Sequence, residues 1–169
     1  VKLTSLIISL SDNNIWPALI LTGIACLLLG MEVPTTAAYV ICVSVAGPAL
    51  VDMGLELLQV HLFVFWFALL STITPPVCGT VFIASGMVSE NWLKVSLTSM
   101  SLGIGLYFIP LAMIANEAII KLDTDFLSSM TAFVKIALSL VMLSYAFIGK
   151  HLIIAKMISF GLGLFVMFI

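Results

Sequence analysis

Apolar residues run along this chain in long blocks divided by short polar breaks, with none of the regular alternation of a water-soluble helix or strand. The breaks fall at residues 11–14, 52–59, 89–94, 121–125 and around 149–151, leaving five apolar blocks. Blocks 95–120, 126–148 and 152–169 are each near the length of about 20 residues that carries a helix across the hydrocarbon core. They predict three ordinary transmembrane helices.

The first block, 15–51, is too long for one crossing, and its middle reads Gly30-Met31-Glu32-Val33-Pro34-Thr35-Thr36, helix breakers mixed with polar side chains. Each flank, 15–29 and 37–51, spans about 22 Å at the helical rise, short of a core of roughly 30 Å. Two half-length arms meeting at a polar tip predict a re-entrant hairpin. The block around 60–88 is broken at Ser71-Thr72-Ile73-Thr74-Pro75-Pro76 and predicts a discontinuous spanning helix. Tandem prolines remove two backbone donors and push Thr74 out of helical angles, so carbonyls near the break lose their intrahelical partners.

Irregular backbone at membrane depth is tolerated only where protein or a water-filled cavity covers it. A hairpin tip beside a broken helix is how secondary transporters build midplane sites, with helix N-termini toward anionic groups and unwound carbonyls and hydroxyls toward sodium. Thr35, Thr36, Thr72 and Thr74 are the expected hydroxyls. The plainer alternative is two kinks filled by neighbouring helices, since Gly and Pro are common in membrane helices.

Composition agrees with several membrane passes: 63% of residues are hydrophobic, 8% are charged and mean hydropathy is +1.32. A single anchor or signal segment does not account for an excess spread over the whole length. The formal charge is −2 and the six cations are scattered lysines, which excludes a nucleic-acid partner. Cys26, Cys42 and Cys78 lie in apolar stretches at spacings that suit neither zinc nor a redox pair, and read as packing residues. No metal other than sodium is expected. The chain begins at Val1 without a Met, and we expect it to be part of a longer protein.

The stretches GMEVPTTAAYV, AGPALV, HLFVFWFALLSTITPPV and ASGM, in that order, resemble the second half of the large membrane subunit of tripartite ATP-independent periplasmic (TRAP) transporters. HLFVFWF before the proline pair, with PTTAAY at the tip, is most similar to the TAXI branch, whose small and large membrane subunits are often fused. The resemblance covers residues 2–118.

It implies an all-α integral membrane fold: a re-entrant hairpin, a broken transmembrane helix and three further transmembrane helices. Residues 1–120 would be the second inverted repeat of an ion-transporter-type elevator fold, the N-terminal repeat being supplied elsewhere. Residues 121–169 would be a two-helix C-terminal extension. The implied ion and substrate site comprises Gly30, Met31, Pro34, Thr35 and Thr36 at the tip and Ser71, Thr72, Thr74 and Pro75 at the break. Also implied are sodium as coupling ion, no other cofactor, a dicarboxylate or glutamate-like organic anion as substrate, and a TAXI-type periplasmic binding protein. The location would be the bacterial inner membrane.

Two positions depart from the family pattern. Glu32 stands where a small or apolar residue is expected; it is either an added ion ligand or a carboxylate reaching an aqueous vestibule, because a bare one near the bilayer centre costs about 2.5 to 3.5 kcal/mol. Asn116-Glu117-Ala118 replaces an expected Asn-Pro-Ala.

His61, at the polar start of the broken helix, is expected to hydrogen-bond a neighbour, and Lys135 to snorkel toward the headgroups. Trp16 and Trp92 border polar breaks as interfacial anchors, and Trp66 packs. Gly103 and Gly105 read as packing glycines within a helix. No nucleophile–base pair, zinc spacing or phosphate loop points to an enzyme. The alternative to a permease is a truncated, non-transporting structural subunit.

Overall fold

The computed structural model describes residues 2–12, 14–31, 33–120, 125–148 and 153–168. Among these lie nine α-helices: α1 (Lys2–Leu10), α2 (Ile15–Leu29), α3 (Thr35–Asp52), α4 (Leu57–Leu70), α5 (Gly79–Val88), α6 (Trp92–Leu102), α7 (Ile104–Ala115), α8 (Phe126–Ile148) and α9 (Ile153–Phe168). A 3-10 turn, Glu117–Ile119, follows α7. The chain divides into two compact units, Val1–Ser99 and Met100–Ile169, and α6 carries it from one to the other.

In the first unit, α2 has the bounds expected of the first arm, with Asn14 capping it by accepting from Trp16 N, whereas α3, at 18 residues, is longer than the half-length arm expected over 37–51. Both arms are apolar all round, so apolar patterning does not tell which face is inside; residue size does. The buried positions are small: Ala18, Thr22, Gly23 and Cys26 on α2, and Ala38, Cys42, Ala46, Gly47 and Ala49 on α3. Small side chains let membrane helices approach closely enough for dispersion to hold them where lipid supplies no hydrophobic drive. α4 packs against both arms: Phe67 lies under Gly23, where an added Cβ would be 3.0 Å from its ring, and Val60 faces Gly47.

At the start of α4, Gln59 Oε1 accepts from Glu56 N in a capping box. His61 Nδ1 lies 2.6 Å from Tyr39 Oη, so its hydrogen bond goes to the α3 arm. α1 was not singled out by the hydropathy pattern because its nine residues fall short of a span; it lies on α3, where Thr4 Oγ1 donates to Val45 O at 2.9 Å.

The expected unbroken helix over 95–120 is corrected. Gly103 interrupts it, separating α6 from α7, and the helical run ends at Ala115. Glycine loses the most backbone freedom in a helix, and Pro110 within α7 removes a further donor. Gly105 does pack as read: an added Cβ would meet Leu140 Cδ2 at 3.0 Å.

The second unit closes on Ala112, Ile136, Leu143 and Met167. Asn116 Nδ2 donates to Met167 O at 2.8 Å and to Ala112 O at 3.2 Å, tying the end of α7 to the last turn of α9. α8 matches the expected span, and Asp125 precedes it. The Ser128 hydroxyl and amide both bond the Asp125 carboxylate, which holds it below the usual carboxylate value. Lys135 is half-buried and has no ionic partner among the described residues.

By length and apolarity α3 and α8 can cross a membrane, with a third crossing if α6 and α7 act as one span; α9 has 16 residues and is shorter. Large apolar side chains point outward along the helices, among them Met87, Leu127 and Ile153, each more than 75% exposed. Water would not tolerate so wide an apolar surface on a monomeric protein, whereas lipid does.

Candidate functional site

The polar tip and the proline break are neighbours. α2 ends at Gly30, whose N–H closes on Cys26 O at 3.0 Å. α4 ends at Ser71, which is fully buried. The Ser71 hydroxyl shares its proton between Ala68 O (2.7 Å) on its own helix and Gly30 O (3.1 Å) across the gap. Contact is close enough that a Cβ on Gly30 would come within 2.5 Å of Ser71 Oγ and 2.8 Å of its Cβ. Only glycine fits there for reasons of space, because its backbone (φ −87°, ψ −5°) is open to any residue.

The run after Ser71 answers the question of where the freed carbonyls go. Thr72 Oγ1 donates to Leu69 O at 2.8 Å and Thr74 Oγ1 to Leu70 O at 2.6 Å, while Thr72 N and Ile73 N bond the same two oxygens. The Ser-Thr-Ile-Thr segment therefore caps the C-terminus of α4 through its own side chains, satisfying the oxygens that a helix end leaves orphaned. Thr80 Oγ1, at the start of α5, donates to Thr72 O at 2.6 Å and clips the two sides of the break together. A hydroxyl that donates its proton to a carbonyl keeps two lone pairs for another ligand.

Between tip and break lies an open cavity of about 530 Å³. Gly30, Met31, Val33 and Pro34 line it from the hairpin, and Thr72, Val77, Gly79, Thr80 and Ile83 from the broken helix. α3 begins beside Pro34 and α5 begins at Gly79, and neither N-cap residue gives a side-chain cap among the described residues. Two uncapped helix N-termini thus border the cavity, while the C-termini of α2 and α4 meet at Gly30 and Ser71. The first pair favours anionic groups and the second cations.

Of the residues singled out from sequence, Gly30, Met31, Pro34 and Thr72 line this cavity, Ser71 joins its two walls, and Thr74 caps α4 behind it. Thr35 and Thr36 open α3 next to the lining, and Pro75 lies in the break without lining the cavity. Glu32 lies outside the described residues. Val33, Val77, Gly79, Thr80 and Ile83 are lining residues that the sequence reading missed. The signal for three of them was present: the second arm expected after the break is α5, and Gly79, Thr80 and Ile83 lie on it, but only the tip and the break were read as lining.

Comparison with curated proteins and with solved structures gives no match. Comparison with family models gives one over residues 1–126, described as tripartite ATP-independent periplasmic transporter, DctM component. The match takes in both arms, the tip, the break and the whole cavity lining, and ends as α8 begins. The chain belongs to this DctM component family of the TRAP transporters, a family of multi-pass membrane transport proteins.

Proposed function

We propose that this chain supplies the second repeat of a sodium-coupled TRAP permease of the bacterial inner membrane. Its cavity would take the carboxylate end of an organic acid, a dicarboxylate or a glutamate-like anion, handed over by a periplasmic binding protein of TAXI type. A fused or separate small membrane subunit and the first repeat of the same subunit would complete the elevator. The observation that carries this reading is the single cavity shared by the hairpin tip and the helix break, with helix ends of both polarities around it.

The chemistry divides accordingly. The uncapped N–H groups at the starts of α3 and α5 suit a carboxylate. The hydroxyls of Ser71 and Thr72, whose protons go to carbonyls at the ends of α2 and α4, keep lone pairs that suit a hard monovalent cation such as sodium, with Thr74 as the third hydroxyl of the break. Thr35 and Thr36 can add hydroxyls from the opposite lip.

The test is uptake of labelled organic acids by the complete transporter, reconstituted with its binding protein under an imposed sodium gradient. Thr74→Ala and Thr35→Ala are expected to raise the sodium concentration needed for half-maximal uptake by about tenfold, the equivalent of one lost ligand of roughly 1.4 kcal/mol. Unchanged sodium activation in both variants removes these side chains from the ion site. Sodium-independent uptake by the unmodified protein overturns the coupling itself, and absence of any uptake favours a structural subunit.

A further inference from the structure

We propose that Cys26 and Cys42 form a two-thiol site, built across the arms of the hairpin, for a soft divalent cation of the mercuric class. The two residues are far apart in sequence and were read separately as packing residues, but α2 and α3 bring them together. Both are fully buried free thiols, and Cys42 Sγ reaches to 4.0 Å from Cys26 O across the two arms. Cys78 is elsewhere, against the Ser96 hydroxyl at 3.7 Å.

The surroundings decide which ion such a pair would take. Zinc prefers four ligands, and no group of three or more His, Cys, Asp or Glu side chains is placed for a metal among the described residues. Two thiolates therefore call for an ion content with two soft ligands. Neither arm carries a Lys or Arg, and the thiols sit among apolar side chains, so a bound complex with net charge would go uncompensated in a dry interior. A monovalent soft ion between two thiolates leaves one negative charge. A divalent one leaves none.

The balanced step is the reaction of mercuric chloride with two thiols: two S–H bonds and two Hg–Cl bonds break, two Hg–S bonds form, and two equivalents of hydrogen chloride leave. Mercuric chloride is itself a neutral molecule and can enter an apolar phase. One helical turn from Cys26 on the same face of α2, the Thr22 hydroxyl is fully buried with no hydrogen-bond partner among the described residues, which leaves its oxygen as a weak further donor. Metallation would also withdraw the Cys42 proton from Cys26 O, the oxygen that holds Gly30 N at the tip.

The experiment uses the purified chain in detergent, treated with one equivalent of mercuric chloride, challenged with excess glutathione, desalted and assayed for mercury by mass spectrometry. A chelating pair resists a monothiol because its second bond forms at high effective concentration. Cys78→Ser is expected to retain about one mercury per chain, and Cys26→Ser and Cys42→Ser less than about a tenth of that. Equal retention in all three, or none in Cys78→Ser, overturns the site. X-ray absorption on loaded Cys78→Ser provides a measurement that needs no further variant: two sulfurs per mercury are expected, and one sulfur refutes the bridge.

Discussion

Replacing Gly30 by Ala tests the contact on which the cavity depends. The new Cβ would lie 2.5 Å from Ser71 Oγ, 2.8 Å from Ser71 Cβ and 3.1 Å from Cys26 O. Carbon contacts settle near 3.5–4.0 Å, so tip and break must part by about 1 Å. Ser71 cannot turn aside freely, because its hydroxyl is bonded to Ala68 O and Gly30 O and its side chain is fully buried. Overpacking of this kind costs about 1–3 kcal/mol, and parting the walls forfeits a hydrogen bond of about 1 kcal/mol, giving a loss of roughly 2–4 kcal/mol.

The measurement is unfolding of the purified chain in mixed micelles of rising denaturing-detergent fraction, followed by fluorescence of Trp16, Trp66 and Trp92. Two glycines serve as controls. Gly79→Ala adds a Cβ with nothing within 4 Å at the first position of α5 and should be neutral or slightly stabilising. Gly54→Ala also meets nothing but forces alanine to φ +98°, so it should cost about 1 kcal/mol through backbone strain alone. In a Ser71→Gly background, where both offending atoms are gone, Gly30→Ala should recover most of its loss. A Gly30→Ala protein as stable as its parent, or one equally damaged in both backgrounds, would mean that tip and break do not touch.

Three further outcomes follow from the same geometry. Tyr39→Phe removes the bond to His61 Nδ1 while keeping the edge-on ring contact with Phe65, so it should cost about 1 kcal/mol in the same unfolding assay and increase His61 labelling by diethyl pyrocarbonate. Asn116→Ala leaves the carbonyl of buried Met167 without its donor and should destabilise by roughly 1–3 kcal/mol, read as faster amide exchange in the last turn of α9. The Asp125 carboxyl is held below its ordinary value because its ionised form accepts the Ser128 hydroxyl and amide; its contribution is therefore complete above the unfolded carboxylate pKa of about 4 and lost as pH falls through the lower folded one. Exchange at the start of α8 should accelerate over that acid range, and Asp125→Asn should flatten the dependence.

The arms were legible because their boundaries are set locally: Asn14 caps α2, and Gly30 and Pro34 bracket a turn that no helix continues through. α8, 126–148, was equally plain, being a long apolar run with Asp125 ahead of it. Gly103 was not, because a glycine in an apolar run packs a helix or breaks it according to tertiary neighbours, and the two glycines of Gly103-Ile104-Gly105 do one each. The second arm after the break was legible and is α5, but block hydropathy does not tell which face of it is turned to the cavity, and so Thr80 and Ile83 were missed.

The Cys26–Cys42 pairing was hidden for a different reason. Hydropathy reports which segments lie in the membrane but not which face of a uniformly apolar helix is inside; that is settled by which residues are small enough for two backbones to approach. Read by size, Ala18, Thr22 and Cys26 form an i, i+4 row on α2, and Ala38, Cys42 and Ala46 form another on α3. Each row has one cysteine, and packing small row against small row in a hairpin closed at Gly30 brings the two thiols together. In apolar helices of this kind, the chemistry of the interior is legible from side-chain volume where hydropathy is silent.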